Sequence, residues 1–261
     1  MTDVFVVFGS KSDESVYESL LEKFNKAGIS YEFKVLSAHK TPREVKSALN
    51  DTNASICVAG AGLSAALPGS LAAEKIKPVI GIPCDGAFNG IDAFLTISQM
   101  PPDVPVLAVG VGKTSKVVRL CSNYVNGFNE IVLVKKKTDV EKKYFEQCKK
   151  FMEENNIPFT IENSSIKPNH SKVFIEFTKL GKKITKNRNV IIRVLVKDNS
   201  TKKDSLQFFD SLQSSFSVGL NSYKNAAISA LQLINLDGQY NDILVSLKKK
   251  ATQKVLDANK K

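Results

Sequence analysis

A single histidine stands in the first 112 residues, His39, within Ser37-Ala38-His39-Lys40-Thr41-Pro42. Imidazole is the side chain best suited to carry a proton near neutral pH, so general acid–base chemistry would be placed in this loop. Two other loops could serve it. Gly9-Ser10-Lys11-Ser12-Asp13 precedes a helical pattern, so free amides, serine hydroxyls and a positive helix end converge where a phosphate would lie. Asp13 could hold a ribose hydroxyl there. Residues 59 to 69, Ala-Gly-Ala-Gly-Leu-Ser-Ala-Ala-Leu-Pro-Gly, pack small side chains that let backbone approach a flat ligand and leave amides free to bind it. Each loop also has a plainer reading: a helix cap made by Ser12 or Asp13, a surface histidine, a tight strand-to-helix turn. Ile97 to Pro102 reads as a rim loop in either case.

The elements that would position these loops are legible as runs and spacings. Val4 to Phe8 is a continuous apolar run, and Val16, Leu20, Leu21 and Phe24 keep helical spacing up to Gly28. Tyr31, Phe33 and Val35 alternate, and Pro42 marks the first turn of the next helix. Ser55 to Ala59, Pro78 to Pro83 and Val104 to Val111 are short apolar runs suited to buried parallel strands. Strands alternating with helices predict a three-layer α/β/α sandwich around a parallel sheet, with ligands at the carboxyl ends of the strands.

Composition narrows the partners. The chain has 261 residues, 43% of them hydrophobic, enough for one or two packed cores. No run approaches the roughly 20 apolar residues of a membrane span, and the start has no signal-peptide pattern, so the expected location is the cytoplasm. Cys57, Cys84, Cys121 and Cys148 lack metal-site spacing and read as reduced core residues; Cys84 alone is placed to face a ligand. The net charge of +11 is uneven: residues 1 to 112 sum to −3 and residues 113 to 261 to +14. The basic half lacks the arginine and aromatic interleaving of base readers, so nucleic acid is not the expected partner.

The second half restates the first in weakened form. Glu130 to Val134 repeats the first strand, Thr138-Asp139 stands for Ser12-Asp13, and Lys149 to Phe159 echoes Glu22 to Tyr31. Asn189 to Val194 repeats Lys77 to Ile82, and Ser215 to Gly219 repeats Val106 to Gly110. The expected units are residues 1 to 126 and 127 to 261, the second with a shorter middle. The segment after Gly112 could pack across that boundary.

With its loops in this order, the first half resembles the AIR carboxylase family, which includes the N5-carboxyaminoimidazole ribonucleotide mutases. The resemblance runs from Val4 to about Gly112 through GSKSD (9 to 13), SAHKTP (37 to 42), AGAGLSAALPG (59 to 69), PVIGIP (78 to 83) and QMP (99 to 101). Asn225 to Leu236 and Val245 to Leu256 look like the family's terminal helices, displaced behind a degenerate copy. In that copy the first loop has become Lys135-Lys136-Lys137-Thr138-Asp139, and Ser-Ala-His-Lys has become Ser165-Ile166-Lys167-Pro168.

The resemblance implies a flavodoxin-like sheet and purine biosynthesis, with carboxylate added to C4 of aminoimidazole ribonucleotide (AIR) to give carboxyaminoimidazole ribonucleotide (CAIR). It implies His39 as the proton carrier. Gly9, Ser10, Ser12 and Asp13 would hold phosphate and ribose, and Ser37, Ala38 and Lys40 would line the pocket. Gly60, Ala61, Gly62, Leu63, Ser64 and Leu67 would close over the base. CO2 or bicarbonate is a substrate, with no ATP, biotin, metal or other cofactor expected. Lys40, Gly62-Leu63-Ser64 and Ala66 look like the CO2-using carboxylases, so that activity is the expectation. The alternative, for which Gln99-Met100-Pro101 and Pro78 to Pro83 speak, is the mutase; a non-enzymatic nucleotide-binding module is the second. The family's octamer implies a homo-oligomer here, four two-copy chains forming a pseudo-octamer.

Overall fold

The strands of this chain pair into one continuous sheet of ten, with the two halves of the sequence meeting at its centre. The computed structural model describes residues 2–135, 138–163, 167–184, 187–213 and 215–260. Four residues of the degenerate loops, Lys136, Lys137, Ser165 and Ile166, lie outside the described residues, as does Lys261.

The first half comprises β1 (Val4–Phe8), α1 (Glu14–Ala27), β2 (Tyr31–Val35), α2 (Pro42–Asp51), β3 (Ile56–Ala61), α3 (Leu67–Glu74), β4 (Val79–Pro83), α4 (Ile91–Ser98), β5 (Leu107–Ala108) and α5 (Thr114–Val125). The second comprises β6 (Glu130–Val134), α6 (Asp139–Glu154), β7 (Thr160–Glu162), β8 (Lys172–Lys179), β9 (Val190–Val196), α7 (Asp204–Leu212), β10 (Phe216–Ser217), α8 (Tyr223–Leu233) and α9 (Asn241–Asp257). The sheet order is β2-β1-β3-β4-β5-β10-β9-β8-β6-β7, so each half runs inward from its own edge in the same sequence. All pairings are parallel except the central one, where Ser217 faces Ala108 antiparallel. The long apolar run at 104 to 111 yields a strand of only two residues at this seam.

Alternate residues of β1 serve different layers, as a pleated strand requires. Val4, Val6 and Phe8 join a core with α1 and α5 that continues under α6, α8 and α9. Phe5 and Val7 face a second core under α2, α3 and α4. Among the described residues, no helix corresponding to α2 or α3 follows β7 or β8. The α5 segment packs beside α1, with Lys23 donating to Thr114 Oγ1 at 2.6 Å, while Lys116 reaches the Phe216 ring of β10 in the other half.

Contacts besides the shared core also join the halves, among them these. Gly110 lies against Gln213, where a Cβ would come within 2.5 Å of the Gln213 carbonyl oxygen, so only glycine permits the approach. Phe94 of α4 meets Phe208 and Phe209 of α7, with ring centroids 5.7 and 5.4 Å apart. Buried Asn225 of α8 accepts from Asp103 N at 2.8 Å and donates to Pro101 O at 3.0 Å, fixing the loop after α4. No helix among the described residues is long and apolar enough to cross a membrane.

Candidate active site

Three strands of the first half, β1, β2 and β3, end side by side, and the loops leaving them enclose a hollow of about 320 Å³. Gly9, Ser10, Ser12 and Asp13 line it from the first loop, and Ser37, Ala38, His39 and Lys40 from the second. Ala61, Gly62, Leu63, Ser64, Ala66 and Leu67 line it from the third. Such a volume lies at the small end of small-molecule sites.

Each loop is shaped by its own hydrogen bonds. Ser10 accepts from Ser12 N at 3.2 Å and from Ser12 Oγ at 2.8 Å, capping the short turn Lys11–Asp13. The helix-cap reading of Ser12 or Asp13 does not hold, because the Asp13 side chain makes no cap bond to α1 and turns toward the hollow instead. In the second loop, Ser37 Oγ accepts from Lys40 N at 3.2 Å, and Ser37 N donates to Thr41 Oγ1 at 2.9 Å. These bonds bend the chain so that exposed His39 and Lys40 stand at the mouth.

The third loop passes from β3 into α3 through Ser64, which sits in the left-handed region at φ 49. Its helix begins with Ala66 as the capping residue and Pro68 in the first turn, with no side chain closing the end. The start of α3 therefore faces the hollow without a side-chain cap, a setting that favours anions, whereas the amides leading into α1 are taken by Ser10 and Lys11.

Asp13 is 6% exposed, and burial raises its carboxyl above the ordinary aspartate range, with the neighbouring Cys84 thiol pulling the other way. Its Oδ2 has no hydrogen-bond partner. A buried acceptor left open beside a hollow is suited to a ligand hydroxyl. Cys84 is itself buried behind Asp13, and burial pushes its thiol far up, so it is an inert neighbour rather than a reactive group.

Two expectations need correction. Gly60 does not line the hollow: it lies inside β3 over Phe8, and a Cβ there would fall 2.0 Å from the ring. Its carbonyl accepts from Gly9 N at 3.0 Å, tying the first loop to the third. Gln99, Met100 and Pro101 are not in the lining either; Met100 packs on Gly69 of α3. Ala66 joins the lining, and its signal in sequence was the uninterrupted run of small residues after β3.

The sequence profile described as AIR carboxylase matches residues 3–144, more than half of the chain, and stops inside α6. The chain is 38% identical over 110 residues to the N5-carboxyaminoimidazole ribonucleotide mutase of Methanocaldococcus jannaschii, covering 42% of this chain and 70% of that protein. It is 30% identical over 184 residues to a probable N5-carboxyaminoimidazole ribonucleotide mutase of Methanothermobacter thermautotrophicus, spanning 69% of this chain and 53% of that protein. A crystal structure of Treponema denticola PurE aligns with TM-score 0.40 and 23% identity, covering 60% of this chain and 92% of that one.

Proposed function

Because this chain belongs to the AIR carboxylase family, we propose that its hollow moves a carboxylate onto C4 of aminoimidazole ribonucleotide, with N5-carboxy-AIR as the donor. The observation that carries the reading is the meeting of three loops, one bearing His39, around a single nucleotide-sized hollow. The names of the curated relatives favour this mutase activity over the CO2-using carboxylase expected from Lys40, Ala66 and Gly62 to Ser64. Free CO2 as the substrate stays as the second reading, on those residues.

The chemistry asks little of covalent catalysis. The N5 carbon–nitrogen bond breaks, CO2 is held where C4 can attack it, the C4 proton leaves and N5 is protonated. An enclosed site keeps the CO2 from escaping, and a positioned base takes the proton. His39 is that base. Ser10 and Ser12, before the start of α1, hold the phosphate, and Asp13 takes a ribose hydroxyl on its open oxygen. Amides at the start of α3 hold the carboxylate. The reading places the enzyme in the cytoplasm as a homo-oligomer of four chains.

The test supplies N5-carboxy-AIR, or AIR with bicarbonate, each without ATP, and follows CAIR by ultraviolet absorbance. Faster formation from N5-carboxy-AIR is expected. Faster formation from AIR with bicarbonate would favour the carboxylase, and no CAIR from either would end both readings.

A further inference from the structure

We propose that Phe88 closes the hollow, laying its ring on the imidazole base of the bound nucleotide; this rests on the functional reading above and adds a substrate contact to it. Phe88 is 79% exposed, and no large apolar side chain among the described residues is more so. The next is Leu63, 70% exposed, which lines the hollow itself. An aromatic ring buries about 150–250 Å² when covered, so one left in water is an unspent contact.

The backbone beneath it is equally unusual. Phe88 (φ 55), Asn89 (φ 54) and Gly90 (φ 76) form a run of three left-handed residues, a conformation that bulky side chains rarely adopt. Such outliers are retained where the conformation is used. The feet of this loop are fixed: Cys84 N donates to Ala61 O at 2.9 Å, and a Cβ on Gly90 would stand 3.0 Å from both Val111 methyls. Gly86 abuts Leu63, where a Cβ would lie 3.9 Å from Cδ2. The tip therefore rises from the rim formed by residues 62 to 64.

The ligand chemistry matches. Aminoimidazole is flat and electron-rich with two apolar faces, and the lining contains no phenyl or phenol ring to cover either. A ring folded down from Phe88 would cover one face and keep water from the CO2 released beside C4.

The chain contains no tryptophan, so Phe88→Trp introduces its only indole. The emission of that variant is expected to be that of an exposed indole, shifting as CAIR is added with the same saturation that calorimetry gives. Phe88→Ala should raise KM for N5-carboxy-AIR roughly tenfold, as loss of one base–aromatic stack does, with an unchanged melting temperature; Phe88→Tyr should restore it. Calorimetric binding without an emission shift would overturn the proposal and leave the function standing. So would an indole already buried in a concentration-dependent way without nucleotide, which would mark Phe88 as a contact between copies. Failure of the wild type to bind any of these nucleotides would instead overturn the functional reading, and the lid with it.

Discussion

The two halves of the sheet run in the same order from their edges, yet the face that the first half covers with α2, α3 and α4 bears a buried ion pair in the other. Counting along the paired strands so that residues on the same face correspond, Val4 with Ile131, the place of Ala59 beside Gly81 is taken by Glu176 beside Arg193. Arg193 Nε donates to Glu176 at 2.7 Å and its Nη1 to Ser215 Oγ at 2.7 Å, both residues being largely buried. Nearby, fully buried Glu141 of α6 accepts from Lys179 N at 3.0 Å, at the end of β8. In the first half, that level carries only small side chains, and α3 and α4 pack directly over it. The difference teaches that small residues in β3 and β4 let helices close over the sheet and bring the start of α3 to the hollow, whereas the other half seats charged side chains there. Among the described residues, no counterpart of α2 or α3 follows β7 or β8.

The largest effect expected from breaking this comparison is at His39. His39→Asn should lower kcat by about 10² to 10⁴ with nucleotide binding retained, whereas the same change at exposed His170, in the second half, should leave turnover unaltered. Steady-state kinetics beside calorimetric titration separates the two, and normal turnover in His39→Asn would remove the imidazole from the mechanism.

Next in size is the buried ion pair. Arg193→Met leaves the Glu176 carboxylate without its guanidinium and should cost about 3–5 kcal/mol of stability. The double change Arg193→Met with Glu176→Leu should recover most of it, because an apolar pair resembles what the first half carries at that level. Denaturant melts read both, and turnover per folded molecule should be the same in all three proteins. A turnover loss in the double variant would mean that the second half takes part in the chemistry.

Smallest is a stability effect at Asp13. Burial raises its carboxyl, so between the ordinary aspartate range and that raised position the folded state binds more protons than the unfolded one. Stability therefore falls as pH rises through that window, and the charged form is a net cost at neutral pH. Asp13→Asn should melt slightly higher than the wild type at pH 7, with the advantage gone in acid, while its nucleotide affinity drops. An equal melting difference at every pH would show that ionisation of Asp13 is not the cause.

Much of this arrangement was legible from residues alone. β1, β3 and β4 declared themselves as short apolar runs and β2 by alternation, and the three loops stood out because glycine, serine and a lone histidine followed these strands directly. What was not legible has physical reasons. β9 is buried on both faces, so its sequence has no alternation to show which residues face which core; the sheet sets Ile191 in the place of Val79, as the repeat of Lys77 to Ile82 by Asn189 to Val194 implies. Gly60 looks like part of a ligand loop, but what demands a glycine there is the Phe8 ring beneath it. Joining of the halves through one antiparallel pair at Ala108 and Ser217 leaves almost no trace in sequence, since two residues suffice.

The central claim is that each chain has one nucleotide site, in the hollow of its first half. Calorimetric titration of the full chain with CAIR tests it most directly: the account predicts one nucleotide bound per chain, with affinity sharply reduced by Asp13→Ala and unaffected by His170→Asn. Two nucleotides per chain, or one whose affinity is indifferent to Asp13, would contradict it.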